Sequence, residues 1–293
     1  MRTLVTGGTG TVGLAVVERL RSGGDEVVVL AAGVPTGEVA RAFEGFGVEV
    51  VPGDVRDADL VRRVLRERRI ESVVHGAAVT PDVERERSDA ADVVDVNCTG
   101  TAAVTGAFAD ACTGRFVHLG SIAAYGTATT EEELLVEDAG QERPATLYEI
   151  TKLAGEQIAL RVAEVRGVDA VSLRLGDVFG RWEHRSPVRD ATSAPYQLLA
   201  RALHGRGAVL PREGRKAWVY SVDVAEAVYL ALHAESIPQR VANVSSPFVW
   251  SLGAWCALLE GRFPGFSHRV DAAEADIALF ADNAPMSLAA ASG

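Results

Sequence analysis

The sequence predicts an α/β fold: a doubly wound parallel sheet of Rossmann type with a smaller, split C-terminal substrate lobe. Three observations point to it. Short apolar runs alternate with helical runs through the first three-fifths of the chain. A glycine-rich turn joins the first strand to the first helix, and the alternation loosens after Leu175. Repeated βα units require parallel strands joined by right-handed crossovers.

The strand-like runs are Thr3–Thr6, Glu26–Leu30, Val48–Val51, Ser72–His75, Arg115–Leu119 and Val168–Leu175. They are short and mostly β-branched or aliphatic, as strands covered on both faces are. Helices are expected at Val12–Arg21, Val39–Phe46, Asp57–Arg68, Asp89–Ala111 and Tyr148–Arg166. From Gly176 to Gly214 the chain is rich in arginine and proline, with one helix near Tyr196–Leu203. Lys216–His233 reads as a strand and a helix returning to the core, and the tail holds one helix near Leu252–Leu259. The expected division is a dinucleotide-binding core of residues 1–175 rejoined by 216–246. Residues 176–215 and 247–293 then form the substrate lobe.

With 293 residues, 48% of them hydrophobic, the chain can bury a sizeable core. A formal net charge of −11 speaks against nucleic acid as a partner. No apolar run reaches the ~18–20 residues of a membrane span. The first strand starts at once, which leaves no room for a signal peptide. Cys98, Cys112 and Cys256 lack CxxC spacing. They fit reduced thiols in a cytoplasmic protein rather than disulfides, and no metal site is expected.

Thr6-Gly7-Gly8-Thr9-Gly10-Thr11-Val12-Gly13 links the first strand to the first helix and satisfies both GxxGxxG and GxGxxG. Glycine admits positive φ and lets the backbone approach a pyrophosphate closely. The N–H groups at the helix start then hold the anion. Gly7, Thr9, Gly10, Thr11, Val12 and Gly13 are therefore candidate ligands of NAD or NADP. An acid that would hold the adenosine ribose is missing, because the second strand ends in Leu30-Ala31-Ala32-Gly33, and the next cation is Arg41. Asp54, with Val55 beside it, is placed to accept the adenine amino group; an N-cap for the following helix is the other use for that aspartate.

Tyr148 and Lys152 stand four residues apart on one helix face. A free tyrosine titrates near ~10, and a neighbouring ammonium favours its phenolate, pulling it toward the working range of a base. Ser121, after an apolar strand, supplies a hydroxyl for the substrate oxygen. Together they make a site for moving hydride and proton at a hydroxyl-bearing carbon.

At this point the chain resembles the extended short-chain dehydrogenase/reductase family, also called the NAD-dependent epimerase/dehydratase family, over roughly residues 1–245. The resemblance rests on the glycine loop, Asp54, His75-Gly76-Ala77-Ala78 and Asn97-Cys98-Thr99-Gly100. It continues through Gly120-Ser121-Ile122-Ala123-Ala124-Tyr125-Gly126, the Tyr148/Lys152 pair and Trp218-Val219-Tyr220-Ser221-Val222-Asp223. It implies that Ser121 orients the reacting hydroxyl and Tyr148 is the acid/base. Lys152 would hold the nicotinamide ribose and tune Tyr148, while Ala77, Ala78 and Asn97 line the cofactor channel. Tight packing and a polar helix kink are the alternative uses of those last residues. The resemblance also implies a homodimer formed through helices 89–111 and 148–166, and a C-terminal helix on the substrate lobe, for which Met286–Gly293 looks short.

Three departures bear on the substrate. Nucleotide-sugar members carry Arg-x-x-Asn to reach the pyrophosphate, and here Arg174-Leu175-Gly176-Asp177 places a carboxylate there. A carboxylate within ~4 Å of a phosphate repels it by about 1 to several kcal/mol. Lys216-Ala217 replaces Arg-Asp and loses the bidentate fork. Ile122-Ala123 replaces the Asp-Glu pair of sugar dehydratases, which speaks against dehydration. On these grounds a small, sugar-acid-like hydroxyl or carbonyl compound is the expected substrate and UDP-sugars are expected to bind weakly. Arg181, His184, Arg185 and Arg189 are candidates to hold a carboxylate, with Asp177 beside them; a solvated basic loop is the other use for that cluster. His75, read as part of a turn, and His118 are not expected to be catalytic. A nucleotide-sugar 4-epimerase is the alternative activity, and a dinucleotide sensor without catalysis is the alternative class.

Because Ala31, Ala32 and Gly33 bring neither an acid nor a cation to the ribose, NAD+ and NADP+ should bind with affinities within about tenfold, under ~1.4 kcal/mol. Equilibrium titration with each cofactor tests this. A hundredfold preference either way would assign the selection to another residue, Arg41 first.

Overall fold

The computed structural model describes residues 1–126, 135–184, 186, 188 and 192–277. Arg185, Arg189 and the terminal Met286–Gly293 lie outside them. The chain runs β1 (Arg2–Thr6), α1 (Thr11–Ser22), β2 (Glu26–Ala31), α2 (Gly37–Phe46), β3 (Glu49–Pro52), α3 (Ala58–Glu67) and β4 (Ser72–His75). It continues through α4 (Val83–Ser88), α5 (Ala90–Val94), a π-helical turn (Asp95–Gly100), α6 (Thr101–Ala111) and β5 (Arg115–Ser121). A 3-10 turn (Ile122–Tyr125), α7 (Leu147–Arg166) and β6 (Asp169–Leu175) follow. Last come β7 (Asp177–Phe179), α8 (Ala194–Leu203), β8 (Ala208–Leu210), β9 (Trp218–Tyr220), α9 (Ser221–His233), β10 (Val241–Val244), α10 (Leu252–Arg262) and β11 (His268–Val270).

Among the described residues, seven strands form one parallel sheet in the order β10-β6-β5-β4-β1-β2-β3. The order reverses between β1 and β4, and ligands of such sheets bind at the carboxyl edge of that switch point. Alternation along β2 explains how both faces are covered. Val27, Val29 and Ala31 join an apolar cluster with Leu14, Val17, Val224 and Val228, from α1 and α9. Val28 and Leu30 join another with Val61, Leu65, Val104 and Phe108, from α3 and α6. A third cluster gathers Leu198, Leu210, Trp218, Leu252, Cys256 and Phe266 from the C-terminal part.

The start of α7 is set by local chemistry. Thr146 accepts from the Glu149 N–H, and the Glu149 carboxylate accepts from the Thr146 N–H at 3.0 Å, completing a capping box. Glu86 of α4 accepts the next N–H, of Leu147, at 3.0 Å. Gly167 closes the helix in the left-handed region at φ 67°. These caps place Tyr148 in the first turn.

The expected 89–111 helix is broken by the π turn, for a reason given below. His75 is not in a turn but is the last residue of β4, fully buried. The short strands β7, β8, β10 and β11 and helix α4 escape a sequence reading, since strands of three or four residues and a helix of six are too short to show a period. The three cysteines are unpaired thiols. Among the described residues, no helix is long and apolar enough to cross a membrane.

Helix α7 is tied to β6 by a buried ion pair. Glu156 takes Arg174 Nη2 at 2.6 Å and Nε at 3.0 Å, and Ser172 Oγ at 3.0 Å; Glu142 reaches the same guanidinium at 2.8 Å. Burial works against the Arg174 charge, but the hydrogen bonds and charge of Glu156 together with the contact to Tyr125 outweigh it and raise its pKa. Glu156→Ala should therefore cost roughly 3 kcal/mol or more, as loss of one partner of a buried pair does. Chemical denaturation measures it; a loss under ~1 kcal/mol would mean that Glu142 suffices alone.

Candidate active site

The glycine loop is shaped by backbone contact. A Cβ on Gly7, whose φ is +70°, would lie 2.7 Å from the Gly76 carbonyl and the Ala77 nitrogen. One on Gly13 would lie 2.2 Å from the Gly7 oxygen. These two glycines let the first turn of α1 and the loop after β4, which carries Ala77 and Ala78, meet at Gly7. Gly10 is different, since a Cβ there would meet no atom closer than 3.4 Å. Packing does not require that glycine, whereas an approaching phosphate would. Gly10 is also the N-cap of α1, with no side-chain hydrogen bond to the helix, and the first turn of Thr11, Val12 and Gly13 carries no acid. This end of α1 fits an anionic dinucleotide.

The residues expected from the sequence to move hydride and proton come from β5 and α7. Ser121 ends β5 and its Oγ accepts from the Ala123 N–H at 3.1 Å, which leaves its hydroxyl hydrogen to donate to a substrate oxygen. Lys152 is buried and its ammonium donates to the Leu119 carbonyl at 2.7 Å, two residues before Ser121. Tyr148 is half-buried one turn earlier on the same side of α7. Burial lowers the Lys152 pKa to about 8, against the charge of Glu156, which raises it. A desolvated ammonium here favours a negative charge on a phenol nearby.

Asn97 holds this arrangement from below. Its Oδ1 accepts from the Val79 N–H at 2.8 Å, and its Nδ2 donates to the Val79 carbonyl and to Thr151 Oγ1, each at 3.0 Å. Both amide hydrogens are thus spent on protein. The π turn is what brings Asn97 to them, so this residue acts as a staple between the β4 loop and α7. Gly155 permits the approach, because a Cβ there would meet the Asn97 carbonyl at 2.9 Å. His75 sits between Thr6 Oγ1 and Thr101 Oγ1 at 2.7 and 2.9 Å, with burial pushing its pKa to about 3. His118 is likewise buried and held well below its usual range by desolvation. Neither is an acid/base at neutral pH.

Asp54 accepts from Arg56 Nη2 at 2.6 Å, and that hydrogen bond holds its pKa below the usual carboxylate range. Arg56 also reaches Asp92 at 2.7 Å. Val55 is buried against Gly100.

The expected cationic cluster after β6 is not assembled by the residues described. Arg181 pairs with Glu18 of α1 at 2.9 Å, and His184 Nδ1 bonds the Trp182 carbonyl at 2.9 Å. Asp177 does not stand as a lone charge either. Lys216, almost wholly buried, donates to its Oδ1 at 2.9 Å. That partnership was missed in the sequence, although one signal was there: of 29 cationic residues, Lys152 and Lys216 are the two lysines, and both are buried.

A model of the NAD dependent epimerase/dehydratase family matches residues 3–245. The chain is 31% identical over 239 residues to the UDP-glucose 4-epimerase of Streptomyces lividans, covering 78% of this chain and 70% of that protein. It is 30% identical over 248 residues to the dTDP-6-deoxy-L-talose 4-dehydrogenase (NAD(P)(+)) of Kitasatospora kifunensis, covering 84% and 74%. Its structure is similar to that of a UDP-glucose 4-epimerase from Thermus thermophilus in complex with NAD. There the TM-score is 0.75 at 26% identity, over 98% of this chain and 90% of that one.

The Lys152 shift makes the stability of the cofactor-free protein depend on pH. Its folded pKa of about 8 lies below that of a free lysine, so between the two values the unfolded chain binds more protons. Stability should therefore rise with pH, gaining about 2 kcal/mol from this group between about pH 7.5 and about 9.5. Denaturation at both pH values, with Lys152→Met as control, measures the contribution; an equal slope in both proteins would remove Lys152 as its source.

Proposed function

Because the chain belongs to the NAD dependent epimerase/dehydratase family, we propose that it is an NAD-dependent enzyme that removes and returns hydride at a hydroxyl-bearing carbon of a nucleotide sugar, as a 4-epimerase does. What supports this is the Lys152 ammonium on the Leu119 carbonyl, two residues before Ser121 at the end of β5, with Tyr148 one turn earlier than Lys152 on α7 and the α1 phosphate cradle on the same sheet edge. The dinucleotide, NAD or NADP, would lie against Gly7, Thr9, Gly10, Thr11, Val12 and Gly13, with Asp54 and Val55 toward the adenine. When bound, it supplies the hydride acceptor and donor.

Ser121 donates to the reacting oxygen. Tyr148 takes the hydroxyl proton as hydride leaves the carbon, and gives it back when hydride returns. In an epimerisation the resulting ketone presents its opposite face before that return. Lys152 keeps a positive charge near the phenol and, through Leu119, stays aligned with Ser121.

The grounds for preferring a small sugar acid to a nucleotide sugar are weakened by the tertiary structure. Lys216 neutralises the carboxylate that was expected to repel a phosphate, and Arg181 is engaged by Glu18. Nucleotide sugars are the substrates named for the relatives above. Elimination of water stays disfavoured: Ile122 is buried with Tyr125 and Leu135, and Ala123 brings no acid. The second reading is a nucleotide-sugar dehydrogenase, which the likeness to the 4-dehydrogenase favours. A pairing of two copies through α6 and α7 is part of the proposal; on α7, Ile150 and Val165 are exposed.

Incubation with NAD+ and UDP-glucose or dTDP-glucose separates the readings. Epimerisation gives the isomer without net cofactor reduction, dehydrogenation gives reduced cofactor, and a sensor gives neither. In the active protein, Tyr148→Phe should leave cofactor affinity within a few-fold and lower turnover by about 10²–10⁴. Turnover close to that of the unmodified protein would remove Tyr148 from the chemistry.

A further inference from the structure

We propose that Glu86 is a positioning residue for Tyr148: its carboxylate, on the N–H of Leu147, holds the start of α7 against the segment that follows β4 and so fixes where the phenol stands. This rests on the reading above, in which Tyr148 moves the proton.

Packing does not account for α4. None of its six residues is buried, and Val83 is 71% exposed, so apolar contact does not hold it in place. Polar contacts of its own shape it instead. Asp82 accepts from the Arg85 N–H at 2.8 Å, Ser88 Oγ donates to the Glu84 carbonyl at 2.9 Å, and Arg87 pairs with Glu84 at 2.6 Å. Glu86, half-buried, turns away from these local contacts and accepts from a backbone N–H 61 positions further on, at 3.0 Å.

The first turn of α7 shows what that bond adds. The local cap is spent within its own loop: the Glu149 carboxylate takes the N–H groups of Ala145 and Thr146, at 2.7 and 3.0 Å, and Thr146 Oγ1 takes that of Glu149. Such a cap decides which residue starts the helix, not where that start lies against the rest of the fold. Glu86 supplies the second, and a carboxylate at a helix N-terminus is also favoured by the helix dipole. One turn on, Asn97 bonds Thr151 and both backbone groups of Val79. The segment from Val79 to Glu86 is thus joined to α7 at Leu147 and at Thr151, which are i and i+4 on one helix face. Tyr148 lies between the two ties. Without Glu86 the helix start can pivot on Thr151. The ties are about 6 Å apart along the axis, so a tilt of about 10° moves the phenol by about 1 Å. A displacement of about 1 Å at reacting groups can cost about 10²-fold in rate. Glu86 therefore acts through Tyr148, by geometry.

Turnover of UDP-glucose and dTDP-glucose by the NAD+-loaded protein tests this. Glu86→Ala should lower kcat by about tenfold or more, while KM and the NAD+ affinity measured by calorimetry stay within a few-fold. Glu86→Gln keeps an acceptor oxygen at the same reach and should hold kcat within about threefold of the unmodified protein. In a Tyr148→Phe background, Glu86→Ala should lower the residual rate by less than about twofold, because the hydroxyl it positions is gone. An undiminished kcat in Glu86→Ala overturns the inference and leaves the functional reading standing. So does an equal loss in Glu86→Ala and Glu86→Gln, or an equal loss with and without the Tyr148 hydroxyl, which is what a general weakening of the fold gives. If the unmodified protein turns over neither nucleotide sugar, the functional reading falls and takes the inference with it.

Discussion

A buried ammonium bonded to a strand carbonyl is the contact around which this site is arranged. Lys152 gives up its hydration to reach the Leu119 oxygen, and the lowered pKa shows what that costs. The position is tenable because α7 is held at several points. Its first turn is capped by Thr146, Glu149 and Glu86, its middle is stapled by Asn97 through Thr151, and Glu156 joins it to Arg174 on β6. Tyr148 inherits its place from those constraints. A phenol one turn from a solvated, freely rotating lysine would gain far less from the charge.

The same logic of paired charges runs along the carboxyl edge of the sheet. Arg174, Arg181 and Lys216 are cations that a linear reading would leave open to a ligand. Each proves to have an acidic partner distant in sequence: Glu156 with Glu142, Glu18, and Asp177. An ion pair presents almost no net charge at a few ångströms, so each pairing changes what the surface can recognise. The expectation of a carboxylate-binding cluster at Arg181, His184, Arg185 and Arg189 depended on open charges, and Arg181 is engaged by Glu18. Compensation of Asp177 by Lys216 likewise removes the repulsion expected between that carboxylate and a diphosphate.

Asn97 shows a related shift of role. Its amide looks like a cofactor contact when only its place in the motif is known. In the fold it completes the hydrogen bonds of Val79 and disturbs its own helix into a π turn to do so. Function and packing meet in one residue because the β4 loop it holds is also the loop that Gly7 touches.

Most of the sheet could be read from the chain alone, because strands covered on both faces must be apolar and helices between them must show one apolar stripe. The glycine loop was legible for a steric reason, since Gly7 and Gly13 sit where a Cβ would strike backbone. The Tyr148/Lys152 spacing and Ser121 after an apolar strand were legible because helix and strand periods fix which way side chains point. Three-residue strands such as β7, β8 and β11 have no period to show, and β10 becomes a strand only by lying against β6. Charge partners were equally hidden. Glu18 lies 163 positions before Arg181 and Asp177 lies 39 before Lys216, and only the crossovers of the sheet bring them together. The residue types and local spacings determined the chemistry on offer; the tertiary structure decided which charges remained open to a ligand, because neutralisation depends on distance in space and not along the chain.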